Sequence, residues 1–246
     1  MRAAALLTGA LVLAGCALQQ NAPLSGEQAT RAARANTDIA SHHLRNGALE
    51  PALDRVERAL QQDPGLIDAH LVAAELQSRL DEPAAAVRHF QSALALDAQH
   101  GPTLNNYAAF LCTNGERRRA LDLWDMAAAQ PLYSGRVSAL GNAARCLDSA
   151  GRVAAAAAYW QRALALQPDH APALRGMAES RLAQQQPATA WTWFSRYTAE
   201  AAETPALLWL GVRIARAAGH AGHRDRLTRR LRAQFPASEQ AARLME

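Results

Sequence analysis

Histidines and carboxylates at helical spacing are the residues of this sequence whose types could hold a metal or carry acid–base chemistry. Asp38 and His42 lie one helical turn apart and could supply two ligands, whereas a structural zinc site takes four. The adjacent His42 and His43 point to different helix faces, and His220 and His223 occupy a glycine-rich turn without a neighbouring acid or cysteine. The sequence contains no phosphate-binding loop, nucleophile elbow or paired-carboxylate motif. It therefore predicts a protein that is not an enzyme and uses no metal, cofactor or small-molecule substrate.

The N-terminal residues have the order of an export signal followed by a lipidation site. After Arg2, a run of about eleven apolar residues ends at position 13, too short to span a bilayer, which needs about twenty. The following sequence, Leu13-Ala14-Gly15-Cys16, resembles the bacterial lipobox, which implies that Cys16 is acylated and becomes the new N-terminus. Ala17, in place of an aspartate, implies sorting to the outer membrane. We therefore expect a signal peptide at residues 1–15, a flexible tether at 16–30 and a lipid anchor on the periplasmic face of the outer membrane.

Turn residues and alanines recur at a fixed period through the remaining chain. The sequence holds 59 alanines among 246 residues and 5% aromatic residues, a composition that favours closely packed helices. The turn residues repeat at intervals of 34, 34, 36, 34 and 34 residues: Gly47, Asp81, Gly115, Gly151, Gln185 and Gly219. Alanine occupies fourteen of the eighteen positions that lie seven before and five and twelve after the turns, where two helices of a hairpin cross closely. A period of 34 is that of the tetratricopeptide repeat (TPR).

This pattern predicts an all-α fold, a right-handed TPR superhelix of about six helix pairs. The predicted repeats lie within one continuous solenoid at 31–240 and span residues 33–66, 67–100, 101–136, 137–170, 171–204 and 205–238. Bulkier side chains nine residues after each turn are expected to fill the space between repeats: Val56, Phe90, Trp124, Trp160, Phe194 and Thr228. The sixth repeat departs from the pattern at Arg224 and Leu231, and a polar outer face is what a terminal repeat requires.

The first helix of each repeat, helix A, is expected to line a concave groove that binds a protein partner. Counting along these helices places ten side chains in the groove: Arg45, Glu75, Arg79, Asn105, Thr113, Arg145, Asp148, Arg175, Glu179 and Arg213. Asparagine and arginine donors can hold an extended peptide backbone or its carboxylates. The alternative is that Asn105 or Asn106 merely caps its own helix.

Two features near the C-terminus each have two interpretations. An aromatic patch, defined by Trp191, Trp193, Phe194 and Tyr197, is either core packing or a partly exposed contact site, because the two tryptophans point to different helix faces. An arginine cluster is either a solvated face that closes the last repeat or a contact surface for an acidic partner: Arg213, Arg216, Arg224, Arg226, Arg229, Arg230 and Arg232. The modest net charge of +4 argues against nucleic acid as a partner.

Two cysteines remain once lipidation has consumed Cys16. In an oxidising compartment the even count favours a bond between Cys112 and Cys146. Counted from the turn residues, both lie near the ends of successive A helices and point in nearly opposite directions, as facing neighbours must. Packed helices leave about 3.5–5.5 Å between facing Cα atoms, which overlaps the disulfide range of about 4.4–6.8 Å. We therefore predict a disulfide; the alternative is a pair of buried free thiols.

Several strings are more specific than the TPR pattern: Leu104-Asn105-Asn106-Tyr107, Phe110-Leu111-Cys112, Pro131-Leu132-Tyr133, Asn142-Ala143 and Phe235-Pro236. With the lipobox, they resemble the type IV pilus biogenesis lipoproteins of the PilF/PilW pilotin family along nearly the whole mature chain. The resemblance implies that the partner is the secretin subunit, whose localisation or multimerisation supports pilus biogenesis and twitching motility. The alternative is another periplasmic TPR adaptor lipoprotein, serving cell-wall or envelope assembly.

Overall fold

A computed structural model describes residues 25–245, and within that range all regular structure is helical. The expected signal peptide at residues 1–15, the expected lipidation site Cys16 and most of the expected tether lie outside the described residues. None of the helices in the described range is long and apolar enough to cross a membrane. The sequence predicts one continuous array, whereas the residue contacts divide the chain after Asp81 into two compact units.

Unit 1 contains three helices: α1 (Gly26–Arg45), α2 (Leu49–Gln62) and α3 (Ile67–Arg79). The expected tether is wrong at its C-terminal end, because α1 begins at Gly26. Ser25 and Gln28 form a capping box there, in which each side chain bonds the other residue's backbone N–H. The core of unit 1 is made of small residues with a few larger ones between the helices: Ala33, Ala40, Leu44, Ala52, Val56, Ala59, Ala69, Ala73 and Leu76.

Unit 2 contains the remaining helices: α4 (Pro83–Leu96), α5 (Gly101–Thr113), α6 (Arg117–Ala129), α7 (Arg136–Ser149), α8 (Val153–Leu166), α9 (Ala171–Ala183), α10 (Pro187–Glu200), α11 (Pro205–Ala217), α12 (Ala221–Gln234) and α13 (Glu239–Ala242), followed by a short 3₁₀ turn, Arg243–Met245. The pairs α5/α6, α7/α8, α9/α10 and α11/α12 each lie inside one predicted repeat, except that α7 begins one residue early, at Arg136. Helices α3 and α4, predicted as one repeat, belong to different units.

The alanines of the repeat pattern in unit 2 are fully buried where helices A and B cross. The side chains of Ala108, Ala120 and Ala127 have no exposed surface, and the equivalent alanines of the next repeat are also fully buried. The turns between the helices adopt positive φ, with values of 85° at Gly115, 70° at Gly151 and 59° at Gln185. A helix that must end and reverse within two residues needs this left-handed conformation, which explains the recurrent glycine.

Bulky residues nine positions after each turn pack between successive repeats. Phe90, Trp124, Trp160 and Phe194 are 2–4% exposed, so each fills the space that the small residues leave. Phe90 also stacks on Tyr107, with ring centroids 4.9 Å apart. These side chains hold the A helices of unit 2 at fixed spacing, and that spacing positions the site described next.

The C-terminal repeat is closed by a helix that the sequence does not predict. Helix α13 begins after Ser238, whose side chain accepts a hydrogen bond from the backbone N–H of Ala241. Ala241 is buried in the same apolar cluster as Leu231, with Phe235 and Leu244 packed against it. The apolar contacts of α13 and the exposed polar side chains of α12 thus end the array together.

Candidate partner-binding groove

Four of the predicted groove residues line one cavity of unit 2. Arg145 and Asp148 come from α7, and Arg175 and Glu179 come from α9, so two successive A helices supply the polar wall. The cavity has a volume of about 450 Å³. The remaining lining residues are Trp160, Pro172, Gly176 and Tyr197.

Trp160 forms the floor of the cavity and is fixed by contacts on two sides. Its ring lies against Gly176, where an added Cβ would come within 2.5 Å of Nε1 and 2.6 Å of Cδ2. Its Nε1–H donates to Oδ2 of Asp148 at 3.1 Å. The glycine therefore makes room for an indole that orients a carboxylate at the cavity wall.

The Asp148 carboxyl group lies at the wall of the cavity, on a residue that is exposed overall. Burial raises its pKa above the ordinary value, the hydrogen bond from Trp160 opposes that rise, and the nearby carboxylate of Glu179 adds to it. A cationic or hydrogen-bond-donating ligand would relieve this unfavourable environment. The carboxylate is thus suited to a donor from a partner.

The positive side chains of the cavity differ in whether they are already neutralised. Arg175 is paired with Glu179 on the same helix, at 2.9 Å from Nε to Oε1. Arg145 donates to Oδ1 of Asn142, and it forms no ion pair with any described side chain. The pKa of His170 lies below its ordinary value because of burial and the nearby charge of Arg145. Arg145 is therefore the free positive charge of the site.

Asparagines extend the polar wall from α7 to α5. Asn142 Nδ2 donates to Oδ1 of Asn105 at 2.8 Å, and the Nε1–H of Trp124 donates to the same oxygen at 3.1 Å. Asn105 and Asn106 lie inside α5, whose N-cap is His100, so neither asparagine caps its own helix. Asn105, Asn142 and Arg145 form a connected row of amide and guanidinium groups across two successive A helices, here called the polar row.

The other predicted groove residues are not gathered at this cavity. Arg45, Glu75 and Arg79 belong to unit 1, where Arg79 bonds Glu75 and the backbone carbonyl of Leu44, at 2.6 and 2.7 Å. Thr113 is exposed at the end of α5 and donates to the carbonyl of Ala109 in its own helix. Arg213 is exposed on α11 and does not line the cavity.

A disulfide joins the two A helices that carry the polar row. In the structure Cys112 of α5 is bonded to Cys146 of α7, with 6.2 Å between their Cα atoms. Cys146 is one residue from Arg145, and Cys112 is one turn beyond Ala108 on α5. The bond therefore ties α5 to α7, the two helices that the hydrogen bond between Asn142 and Asn105 also connects.

The sequence pattern alone leaves out several residues of the site. Trp160 is predicted as packing between repeats, and it also lines the cavity and donates its Nε1–H to Asp148. Tyr197 lies twelve residues after the turn residue Gln185, a position at which the other repeats mostly have alanine. This exception to the pattern is the signal that could have identified Tyr197 as a cavity residue. Within residues 25–245, no group of three or more His, Cys, Asp and Glu side chains could hold a metal ion.

Comparison with known proteins identifies the class of this fold. No family model matches the chain. It is 26% identical to the type IV pilus assembly protein PilF of Pseudomonas aeruginosa over 219 residues, 88% of this chain and 86% of that protein. The solved structure of PilW, a widely conserved type IV pilus biogenesis factor, superposes with a TM-score of 0.74 at 29% identity, covering 87% of this chain and 98% of PilW.

The solved structure of Pseudomonas aeruginosa PilF supports the fold independently. It superposes with a TM-score of 0.72 at 22% identity, covering 88% of this chain and 98% of PilF. The matches confirm the all-α TPR class and the resemblance that the sequence strings carry. Along most of its length the chain is therefore similar to PilF and PilW, tetratricopeptide-repeat proteins of type IV pilus biogenesis.

Proposed function

We propose that this protein is an outer-membrane pilotin that helps to localise or multimerise the secretin of the type IV pilus. In this role it supports pilus assembly and twitching motility, and it holds a segment of the secretin subunit in the groove of unit 2. The similarity to PilF and PilW supports a role in pilus biogenesis.

The polar row is the observation that carries the binding part of the proposal. Asn105, Asn142 and Arg145 present amide and guanidinium groups at successive helices, beside a cavity with an indole floor. An extended peptide offers alternating carbonyl and N–H groups, which side-chain amides can pair with, and Arg145 can pair with a carboxylate. A groove of this composition suits a protein segment.

Replacing both arginines of the cavity, the free Arg145 and the paired Arg175, tests this binding. The double variant Arg145→Ala/Arg175→Ala keeps Asn105 as the acceptor for Trp124, so unit 2 is expected to remain folded by circular dichroism. Capture of the secretin subunit from solubilised envelope should fall about tenfold or more, as for charged residues at the centre of an interface.

The matched control is Arg117→Ala/Arg118→Ala, which removes two exposed arginines at the start of α6, outside the cavity. This control should capture the secretin as the wild type does. Equal capture by the wild type, the double variant and the control would refute binding of the secretin in the groove and leave the similarity to PilF and PilW unaffected.

The lipid anchor is proposed from Leu13-Ala14-Gly15-Cys16. A Cys16→Ser variant should leave the outer-membrane fraction, because residues 25–245 form helices without it. Retention of Cys16→Ser in the outer membrane after a high-salt wash would show that lipid is not the principal anchor. Deletion of the gene should remove surface pili.

A further inference from the structure

Three features of unit 2 take no part in the proposed groove: the arginine cluster, the two histidines of the last turn, and the aromatic patch apart from Tyr197. The structure brings members of all three to one second cavity between α10, α11 and α12, with a volume of about 390 Å³. Its lining shares no residue with the groove cavity. Volumes of this size are typical of ligand sites that hold one or two side chains.

The floor of the second cavity is apolar and closely packed. The ring of Phe194 lies against Gly211, where an added Cβ would come within 2.8 Å of Cε1 of Phe194 and of Cδ1 of Leu227. Leu207 and Leu208 complete the floor. The absence of a side chain at Gly211 therefore lets Phe194 and Leu227 pack directly against the α11 backbone and form the floor.

Aromatic contacts hold the wall formed by Trp191. Its ring centroid lies 5.0 Å from that of His220 and 4.8 Å from that of His223, both edge-on. The tryptophan is therefore partly buried between α10 and α12 and still lines the cavity. Its role is that of a fixed apolar contact.

The rim of the cavity is positively charged. Arg230 is paired with Glu203 at 2.6 Å, which neutralises both. Arg226, one helical turn earlier on α12, is exposed and forms no ion pair with any side chain that the structure describes. One uncompensated guanidinium thus lies beside an apolar floor.

We propose that this cavity is a second protein-binding site, which takes an acidic peptide segment carrying a leucine- or phenylalanine-sized side chain beside a carboxylate. The apolar side chain packs on Phe194 and Leu227, and the carboxylate pairs with Arg226. A single carboxylate balances Arg226, whereas Arg230 is already neutralised by Glu203 and leaves no second cation for a dianionic phosphate group. The charge of the site therefore favours a carboxylate over a phosphomonoester, and a cavity of about 390 Å³ takes one side chain of a peptide rather than the two acyl chains of a lipid.

Binding of synthetic peptides to the full mature chain tests the proposal. The probe is a fluorescein-labelled Gly-Ser-Leu-Glu-Leu-Glu-Gly-Ser peptide, with one matched peptide in which serine replaces leucine and another in which glutamine replaces glutamate. Fluorescence anisotropy should show saturable binding of the first peptide below about 1 mM, the weak end of specific recognition. Both matched peptides should bind at least about tenfold more weakly.

Two charge reversals on α12 distinguish binding in the cavity from non-specific electrostatic attraction to the arginines. Arg226→Glu should weaken binding of the acidic peptide about tenfold or more, and Arg229→Glu, exposed and outside the cavity, should leave it near the wild-type value. The groove variant Arg145→Ala/Arg175→Ala should bind this peptide normally.

The proposal is overturned if the wild type shows no saturable binding of the acidic peptide. It is also overturned if Arg226→Glu and Arg229→Glu lose binding equally. A third contradictory result is Arg226-dependent binding to phosphatidylglycerol vesicles without binding to the peptide. Because the groove variant is measured separately, failure here leaves the pilotin proposal standing.

Discussion

Replacing Gly176 with alanine tests whether Trp160 forms the floor of the groove. The ring of Trp160 touches two helical glycines, Gly176 of α9 and Gly141 of α7, at different distances. An added Cβ at Gly176 would overlap the indole, at 2.5 Å from Nε1 and 2.6 Å from Cδ2. At Gly141 the same Cβ would lie 3.4 Å from Cζ3, an ordinary contact. Gly141→Ala is therefore the matched control.

The expected magnitude follows from two opposing effects. In a helix interior, alanine is more stable than glycine by about 0.5–1 kcal/mol, and both variants gain this amount. Overpacking a filled site costs about 1–3 kcal/mol, and only Gly176→Ala incurs it. The helix effect cancels between the two variants, so Gly176→Ala should be less stable than Gly141→Ala by about 1–3 kcal/mol.

Tryptophan fluorescence is the suitable assay, because all five tryptophans of the chain lie in unit 2. Urea unfolding followed at the tryptophan emission should give a lower midpoint for Gly176→Ala than for Gly141→Ala. The difference should be about 1 M if the slope is about 2 kcal/mol per M. Equal midpoints would refute the placement of Trp160 against Gly176, and with it the geometry of the groove floor.

Three further predictions concern the pH dependence, the disulfide and the turns. The pKa of Asp148 is raised in the folded protein, so the fold favours the protonated carboxyl group. The unfolding free energy of the wild type should therefore fall relative to that of Asp148→Asn as the pH rises above about 4. Parallel curves of stability against pH for the two proteins would contradict this prediction. Mass spectrometry without reductant should find no alkylatable thiol at Cys112 or Cys146, and two free thiols would disprove the bond. Reduction should lower the unfolding free energy of unit 2 by about 3–4 kcal/mol, the chain-entropy value for a separation of 34 residues. Gln185 and Gly151 both have positive φ, 59° and 70°, a conformation that is less costly for glycine than for glutamine. In urea unfolding, Gln185→Gly should therefore stabilise unit 2 and Gly151→Gln should destabilise it, by about 1 kcal/mol each. Shifts of the same sign in the two variants would contradict the turn geometry.

The period of the sequence predicts the helix pairs because the same packing requirement recurs in each repeat. Alanine lies where two helices cross, and glycine or its substitutes lie where the chain reverses with positive φ, as at Gly115. The ends of the array lack such repetition. The start of α1 depends on the Ser25–Gln28 capping box and α13 on Ser238, and both are local signals outside the period.

The candidate site is predicted in part, for a similar reason. Counting along the A helices places Arg145 and Arg175 at the same cavity, because that count follows the period. It does not identify the partners of each side chain. The bond from Asn142 to Asn105 depends on distances between helices, and the role of Gly176 depends on the shape of one tryptophan. The division after Asp81 has no counterpart in the period, which is 34 residues on both sides of that turn.

Site-specific crosslinking in the cell envelope tests the central claim most directly. A photoreactive amino acid would replace Arg145 in the groove and, in a matched control, Arg117 at the start of α6. In envelopes of cells that assemble pili, we expect position 145 to form an adduct with the secretin subunit, identified by mass spectrometry, and position 117 to form none. Absence of the secretin from the position 145 adducts, or equal yield at both positions, would contradict the account.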